Sequence, residues 1–227
     1  MADGSPLDFL GGWDTLGDRR PALHESYLNR VATPAVDDNP LLHEVWEPWA
    51  RKIGYAGQED NLRALHMSQG VLFQRQQAVA RYSWAVPSEE ALSMIIAHSG
   101  GRVVEVGSGT GYWANLLDKR GADVVAVDSG KENKPSWFPA TIVFDGSAYL
   151  HFYKGCPDRA LFLCWPRHGD DVLEAYAGDT LVLVGEGDEG ATWWLDEDAE
   201  KEWKPVASCV LPTWPGIHDM LVVYKRN

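Results

Sequence analysis

Past residue 100 the apolar positions come in short unbroken runs, whereas before it they recur every three or four residues. The runs Arg102–Val106, 123–127, 141–144, Ala160–Cys164 and 180–184 are rich in Val, Ile, Leu and Phe, with glycine, proline or acidic residues around them. Runs of this length without a polar face suit strands covered on both sides, as in a parallel sheet. Between the first two, residues 112–120 put Leu116 and Leu117 inward and stop at Gly121, which predicts a helix. Strands alternating with helical or loop segments predict an α/β fold with a mostly parallel sheet. The connection 129–140 is short and holds Pro135 and Pro139, so the helix usual there is expected to be reduced or absent. Two closing strands, 203–211 and 218–225, flank the turn Trp214-Pro215-Gly216 and should form an antiparallel hairpin.

The first part of the chain reads differently. Residues 1–36 mix Gly, Pro and Asp with scattered Leu and Trp and predict an irregular or partly helical lead-in. Asp37-Asp38-Asn39-Pro40 is a helix start, followed by Leu41, Leu42, Val45, Trp46 and Trp49, with Pro48 expected to kink or shorten the helix. A second helix is predicted from near 59 to 81, with Leu62, Leu65, Leu72, Phe73, Gln76 and Val79 at helical spacing. Residues 1–83 are thus expected to form an N-terminal helical cap, either a water-excluding lid or simple packing. Residues 84–227 form the main domain in this reading. It opens with Ser88 as the N-cap of a helix Glu89–Ser99, which Gly100-Gly101 ends.

A length of 227 residues fits one α/β domain with an added segment. The formal net charge of −13 repels phosphate backbones, which argues against nucleic acid and for a small-molecule partner. Cys156, Cys164 and Cys209 are odd in number and show no CxxC spacing, which suits a reducing cytoplasm. The first residues show no secretory signal, and no apolar run is long enough to span a membrane. Seven histidines show no zinc-site spacing, and Asp170-Asp171 lacks the partner pair of a magnesium site, so no metal is expected. Eleven tryptophans either pack the core or line an aromatic pocket for a cation.

The strand–turn–helix over 102–120 carries Gly107, Gly109 and Gly111 directly after its strand. Glycine lets the backbone turn sharply and approach a ligand closely. Asp128 ends the next strand, where an acid can accept hydrogen bonds from two ribose hydroxyls. A dinucleotide site would put its third glycine at position 112, which is Tyr112, and no P-loop lysine follows. The order Glu105-x-Gly107-x-Gly109-x-Gly111 resembles instead the first motif of the class I S-adenosylmethionine (SAM)-dependent methyltransferases, and the likeness covers about residues 84–227. The resemblance implies a Rossmann-like, seven-stranded, mostly parallel sheet with an antiparallel C-terminal hairpin, and SAM as cofactor. By the same resemblance, Glu105 meets the amino-acid end of SAM, and Gly107, Ser108, Gly109 and Gly111 pass beneath it. Asp128, with Ser129 beside it, holds the ribose. Asp145, Gly146 and Ser147 meet the adenine, and Cys164 closes the cofactor site.

The pattern departs from the amine methyltransferases after the fourth strand. There Cys164-Trp165-Pro166-Arg167 replaces Asn or Asp followed by Pro-Pro and an aromatic, which makes base methylation a poor fit. Candidate catalytic residues are Tyr176, His168 and Trp165, with His151 a further proton acceptor. Trp84, Tyr82 and Arg167 are expected at the acceptor, Arg167 holding a carboxylate or pairing with Asp170 or Asp171. Three functions follow. The first is methyl transfer from SAM to a small molecule by in-line displacement. The second is cyclisation of SAM to azetidine-2-carboxylic acid and methylthioadenosine, steered by an aromatic box of Trp84, Tyr176 and Trp165. The third is SAM binding without turnover.

Overall fold

A computed structural model describes residues 38–52, 69–130, 136–187 and 190–227. In chain order the elements begin with α1, wound as a π-helix over Leu41–Trp46 and as an α-helix over Glu47–Lys52. They continue with α2 (Gln69–Arg81), α3 (Glu89–Ser99), β1 (Arg102–Val106), α4 (Tyr112–Lys119), β2 (Asp123–Asp128) and β3 (Ile142–Val143). The remainder is α5 (Gly146–Phe152), β4 (Ala160–Cys164), α6 (Asp170–Ala175), β5 (Thr180–Gly185), α7 (Ala199–Glu202), β6 (Trp203–Val210) and β7 (Met220–Arg226).

The strands form one seven-stranded sheet in the order β3-β2-β1-β4-β5-β7-β6. Pairings from β3 through β5 are parallel, and β7 runs antiparallel to both β5 and β6. This is the Rossmann-like, seven-stranded, mostly parallel sheet with an antiparallel C-terminal hairpin that the sequence resemblance implied. The four central parallel strands are the unbroken apolar runs, and β4 and β5 are buried almost throughout because helices cover both faces. Strand β3 is only two exposed residues at the edge. Outer strand β6 admits Pro205 and a bulge beside it, as an edge strand can. Described residues between β2 and β3 form turns and bends with no helix. The chain leaves β1 toward β2 and β3, then returns to β4 on the other side of β1. Loops after β1 and β4 therefore diverge and open a crevice at the carboxyl ends of the strands.

Two apolar layers sandwich the sheet. One joins α1, α3, α4 and the end of α2 to Phe162, Val182 and Leu221, and the other gathers Leu150, Tyr176 and Trp203 beneath β4 and β5. Residues 38–52 are thus built into the main core through Leu41, Leu42, Trp46 and Trp49. The π turns precede Pro48, where Glu47 N–H bonds to Leu42 five residues back, and the helix runs on past the proline to Lys52. Ser88 caps α3 as expected, its hydroxyl accepting from Ala91 N–H at 3.2 Å. Helix α2 corrects the sequence reading. Ala78 and Val79 are buried, but Leu72 is 38% exposed and Phe73 62%. Only the last turns of α2 reach the sheet layer, so the apolar spacing overstates its buried face. Leu62 and Leu65 lie outside the described residues. Among the described residues no helix is long and apolar enough to cross a membrane.

A polar knot fixes α1 to α4. Tyr112 donates its hydroxyl to Asn39 Oδ1 at 2.8 Å and accepts Leu41 N–H at 3.0 Å, while Asn39 Nδ2 donates to Pro87 O at 3.0 Å. All of these groups are buried. Arg120 adds a second tie, pairing with Asp38 at 2.9 Å and with Glu89 at 2.6 Å. Tyr112→Phe strands the Leu41 N–H without an acceptor and is expected to destabilise the fold by about 1–3 kcal/mol. Chemical denaturation would check this, and a midpoint equal to wild type would show that the knot holds nothing.

Candidate functional site

The crevice holds a cavity of about 480 Å³. Its walls come from Glu105 and the turn after β1, Asp128 and Ser129 after β2, Cys164 to His168 after β4, and Tyr82 to Trp84 before α3. A smaller lobe of about 200 Å³ continues past Asp128 to Asp145, Gly146, Ser147 and Asp171. The two spaces share Gly107, Asp128, Ser129, Asp145 and His168 in their walls.

The glycine turn is held by the backbone and by one carboxylate. Gly107 and Ser108 N–H both donate to Val127 O, at 2.8 and 3.1 Å. Gly109 N–H donates to Asp128 Oδ2 at 2.8 Å, and Gly130 N–H to Oδ1 at 2.9 Å. Asp128 thus ties the loops after β1 and β2 together. Gly109 has φ +56 and open space where a Cβ would stand, so conformation alone demands glycine there. Gly111 lies one step outside the cavity wall. Its φ is +72, and a Cβ would sit 2.7 Å from that of Phe138, so it serves close packing at the start of α4.

Glu105 is the unusual group. It sits in β1 between Ala126 and Phe162, is 1% exposed, and its Oε2 has no hydrogen-bond partner. Burial pushes its carboxyl up to about 8, the nearby Asp128 charge adds to the rise, and a hydrogen bond from Ala114 N–H opposes it. Ser108 Oγ is likewise buried and unpartnered. Two polar atoms without partners in one cavity wall mark a place built for a ligand's hydrogen bonds.

Asp145 caps α5, accepting from Ala148 N–H at 3.0 Å and from the Ser147 hydroxyl at 2.9 Å. The oxygen of Ser147 remains an acceptor toward the smaller lobe. Cys164 Sγ lies 4.0 Å from Ser83 Oγ. Burial first, then Glu105 and Asp219, push its thiol well above the ordinary range, so it is no nucleophile. Arg167 and His168 line the cavity and are exposed, whereas His151 lies on α5 outside both spaces. Tyr82 lines the cavity, with its ring stacked on Trp137 at 5.2 Å and its carbonyl accepting the Thr110 hydroxyl.

Two expectations need correction. Tyr176 is not at the site. It is 3% exposed in the second core layer, its hydroxyl donating to Arg159 O or Thr180 O at 2.7–2.8 Å and its ring stacked on Trp203. Burial pushes this phenol up to about 12. It is therefore a structural residue and cannot act as proton acceptor in the cavity. The expected box of Trp84, Tyr176 and Trp165 is also absent. Trp84 and Trp165 stack on one another at 5.0 Å and 15°, leaving no space between them.

The sequence reading missed what surrounds that pair. Trp165 has φ +54, and its indole N–H donates to Asp219 Oδ1 at 2.7 Å. Arg75 of α2 lies 5.4 Å from the Trp84 ring centre and 5.2 Å from that of Trp165. The one signal available for Asp219 was an acid at the head of the buried run Met220-Leu221-Val222-Val223. Arg75 gave none, because a lone arginine on a helix reads as solvated.

No protein-family model matches the chain, and no curated relative matches it. Among solved structures, magnesium protoporphyrin IX methyltransferase from Synechocystis PCC 6803 with bound SAM is similar at 14% identity, covering 86% of this chain and all (100%) of that one, with a TM-score of 0.44. The 1,6-didemethyltoxoflavin-N1-methyltransferase of Burkholderia thailandensis, with S-adenosylhomocysteine bound, is similar at 15% identity, covering 87% and 93% with a TM-score of 0.46. These likenesses concern the chain trace alone.

Glu105 also sets a pH dependence. Its folded carboxyl titrates near 8 and an unfolded one near 4.5, so its stability contribution is complete below the lower value and is lost as pH rises through the upper one. Glu105→Gln removes that loss. Without ligand, the variant's Tm should exceed that of wild type by on the order of 5 °C near pH 9, and by much less near pH 5. Thermal unfolding at both conditions checks this, and a Tm difference independent of pH would contradict it.

Proposed function

We propose that the crevice binds SAM and that the protein transfers its methyl group to a small-molecule acceptor. The observation that carries this reading is the buried Glu105 oxygen that lacks a partner in the cavity wall. The α-ammonium of SAM supplies both the donor and the positive charge that such a carboxyl lacks. The other residues fit the same ligand. Each Asp128 oxygen accepts one backbone N–H and retains lone pairs for ribose hydroxyls. The smaller lobe, with Ser147 and Asp145 at its rim, takes the adenine, and Gly107, Ser108 and Gly109 run beneath the amino-acid end.

When bound, SAM supplies a methyl on a sulfonium that departs by in-line displacement. The chain contributes position and dryness more than acid or base strength. Trp84, Trp165 and Tyr82 form the acceptor-side wall, and Arg167 at the mouth attracts an acceptor carboxylate. His168 is the one proposed proton acceptor at the cavity; Trp165 shapes the wall. A small acceptor agrees with a crevice of about 480 Å³ and with a surface of net charge −13. The three free cysteines agree with a reducing, cytoplasmic setting. In this proposal the cap of residues 1–83 shields the acceptor side, with its residues 38–52 fixed in the core. With no box around the sulfonium position, no observation favours SAM cyclisation.

Mass spectrometry of SAM incubated with and without a panel of amine, hydroxyl and thiol acceptors tests the proposal. S-adenosylhomocysteine should form only with an acceptor, and methylthioadenosine from SAM alone would overturn methyl transfer in favour of cyclisation. Asp128→Ala should raise the KM for SAM by about tenfold or more, the scale of one lost charge-assisted hydrogen bond. An unchanged KM would remove Asp128 from the ribose.

A further inference from the structure

The stacked indoles of Trp84 and Trp165 lie at the cavity wall with an internal cation beside them. The guanidinium of Arg75 is poorly satisfied there. Its Nε and Nη2 atoms are buried without a hydrogen-bond partner, and no carboxylate lies within ion-pair distance of it among the described residues. Desolvation lowers its proton affinity, against which the Asp219 and Glu186 charges act. Asp219, 1% exposed, meets the edge of the Trp165 indole. Its Oδ1 is taken by Trp165 Nε1 at 2.7 Å, and its Oδ2 has no partner. A buried carboxyl, a buried guanidinium and two aromatic faces therefore converge without pairing. An arginine serving only to dock α2 would be expected to bond the nearest acid, because a buried donor left unmet is costly.

We propose that Trp84, Trp165 and Asp219 form a subsite for a flat organic cation on the acceptor, an amidinium or guanidinium, whose place Arg75 holds in this structure. This deepens the methyl-transfer reading and rests on it for the word acceptor. Indole faces attract a planar cation, and the Asp219 carboxyl at the edge of Trp165 supplies the countercharge. Burial pushes Asp219 up to about 8, with Glu186 adding to the rise, so an entering cation also relieves this site. Asp219 Oδ2, which has no partner, is the acceptor open to a ligand of the same flat charge that displaces Arg75.

The test uses benzamidine as the probe and benzamide as its neutral match, titrated into the whole protein without SAM and followed by tryptophan fluorescence. Benzamidine should bind at least about tenfold more tightly than benzamide. Arg75→Gln, which keeps a polar but shorter side chain and removes the competing charge, should tighten benzamidine by about tenfold and leave benzamide unchanged. Asp219→Asn should weaken benzamidine by a similar factor, with far-UV circular dichroism checking the fold of each variant. Equal affinity for both probes in wild type and in Arg75→Gln would overturn the subsite and leave Arg75 as a docking residue. S-adenosylhomocysteine binding is measured separately, so loss of the cofactor reading and loss of the cation subsite give different results.

Discussion

Placing a carboxyl group inside a parallel sheet costs free energy unless something answers it, and Glu105 is placed so. Its strand lies between β2 and β4, where the neighbouring residues Ala126 and Phe162 offer no polar group from their side chains. One oxygen has no partner, and burial holds the group largely protonated at neutral pH. A glutamine there would spare the fold the cost of ionising a buried group at high pH. The surrounding geometry gives the acid a use, because it faces the cavity where the glycine turn leaves β1 and where Asp128 closes that turn from the next strand.

The same end of the sheet shows how support is shared between layers. Asp128 joins two loops through backbone N–H groups, so the loop that would pass under a ligand is fixed before one arrives. Outside the cavity wall the Asn39–Tyr112–Leu41 knot locks the first described helix to α4, and Trp137 Nε1 donates to Arg81 O at 2.6 Å at the end of α2. The tryptophan pair lines the cavity with Arg75 beside it, and Arg75 Nε and Nη2 and Asp219 Oδ2 are left unpaired there. Rigid backbone around unsatisfied side chains is the arrangement expected of a site rather than of a packing defect.

Strands β1, β4 and β5 were legible because a buried parallel strand must be apolar on both faces, and little else in a sequence looks like that. The closing hairpin and the caps of α3 were legible for similar local reasons: Pro215-Gly216, Ser88 and Gly100 each have few conformations to choose from. The glycine turn and Asp128 were legible because their spacing ties a loop to a strand end. Contacts made by tertiary packing were not. Leu72 and Phe73 share a helical spacing with Val79, yet how far α2 lies across the sheet decides which of them is covered. Tyr176 follows strand four in sequence like a site residue, but its ring turns into the core layer beneath β4 and β5. Arg75 and Asp219 are 144 residues apart, so no local pattern announces that both meet the Trp165 ring.

Calorimetric titration of S-adenosylhomocysteine at about pH 7, in two buffers of different ionisation enthalpy, bears most directly on the role given to Glu105. Binding should be accompanied by release of about one proton, because a carboxyl raised to about 8 ionises when an ammonium group settles against it. Apparent enthalpies that agree in the two buffers, or no heat of binding at all, would contradict that role.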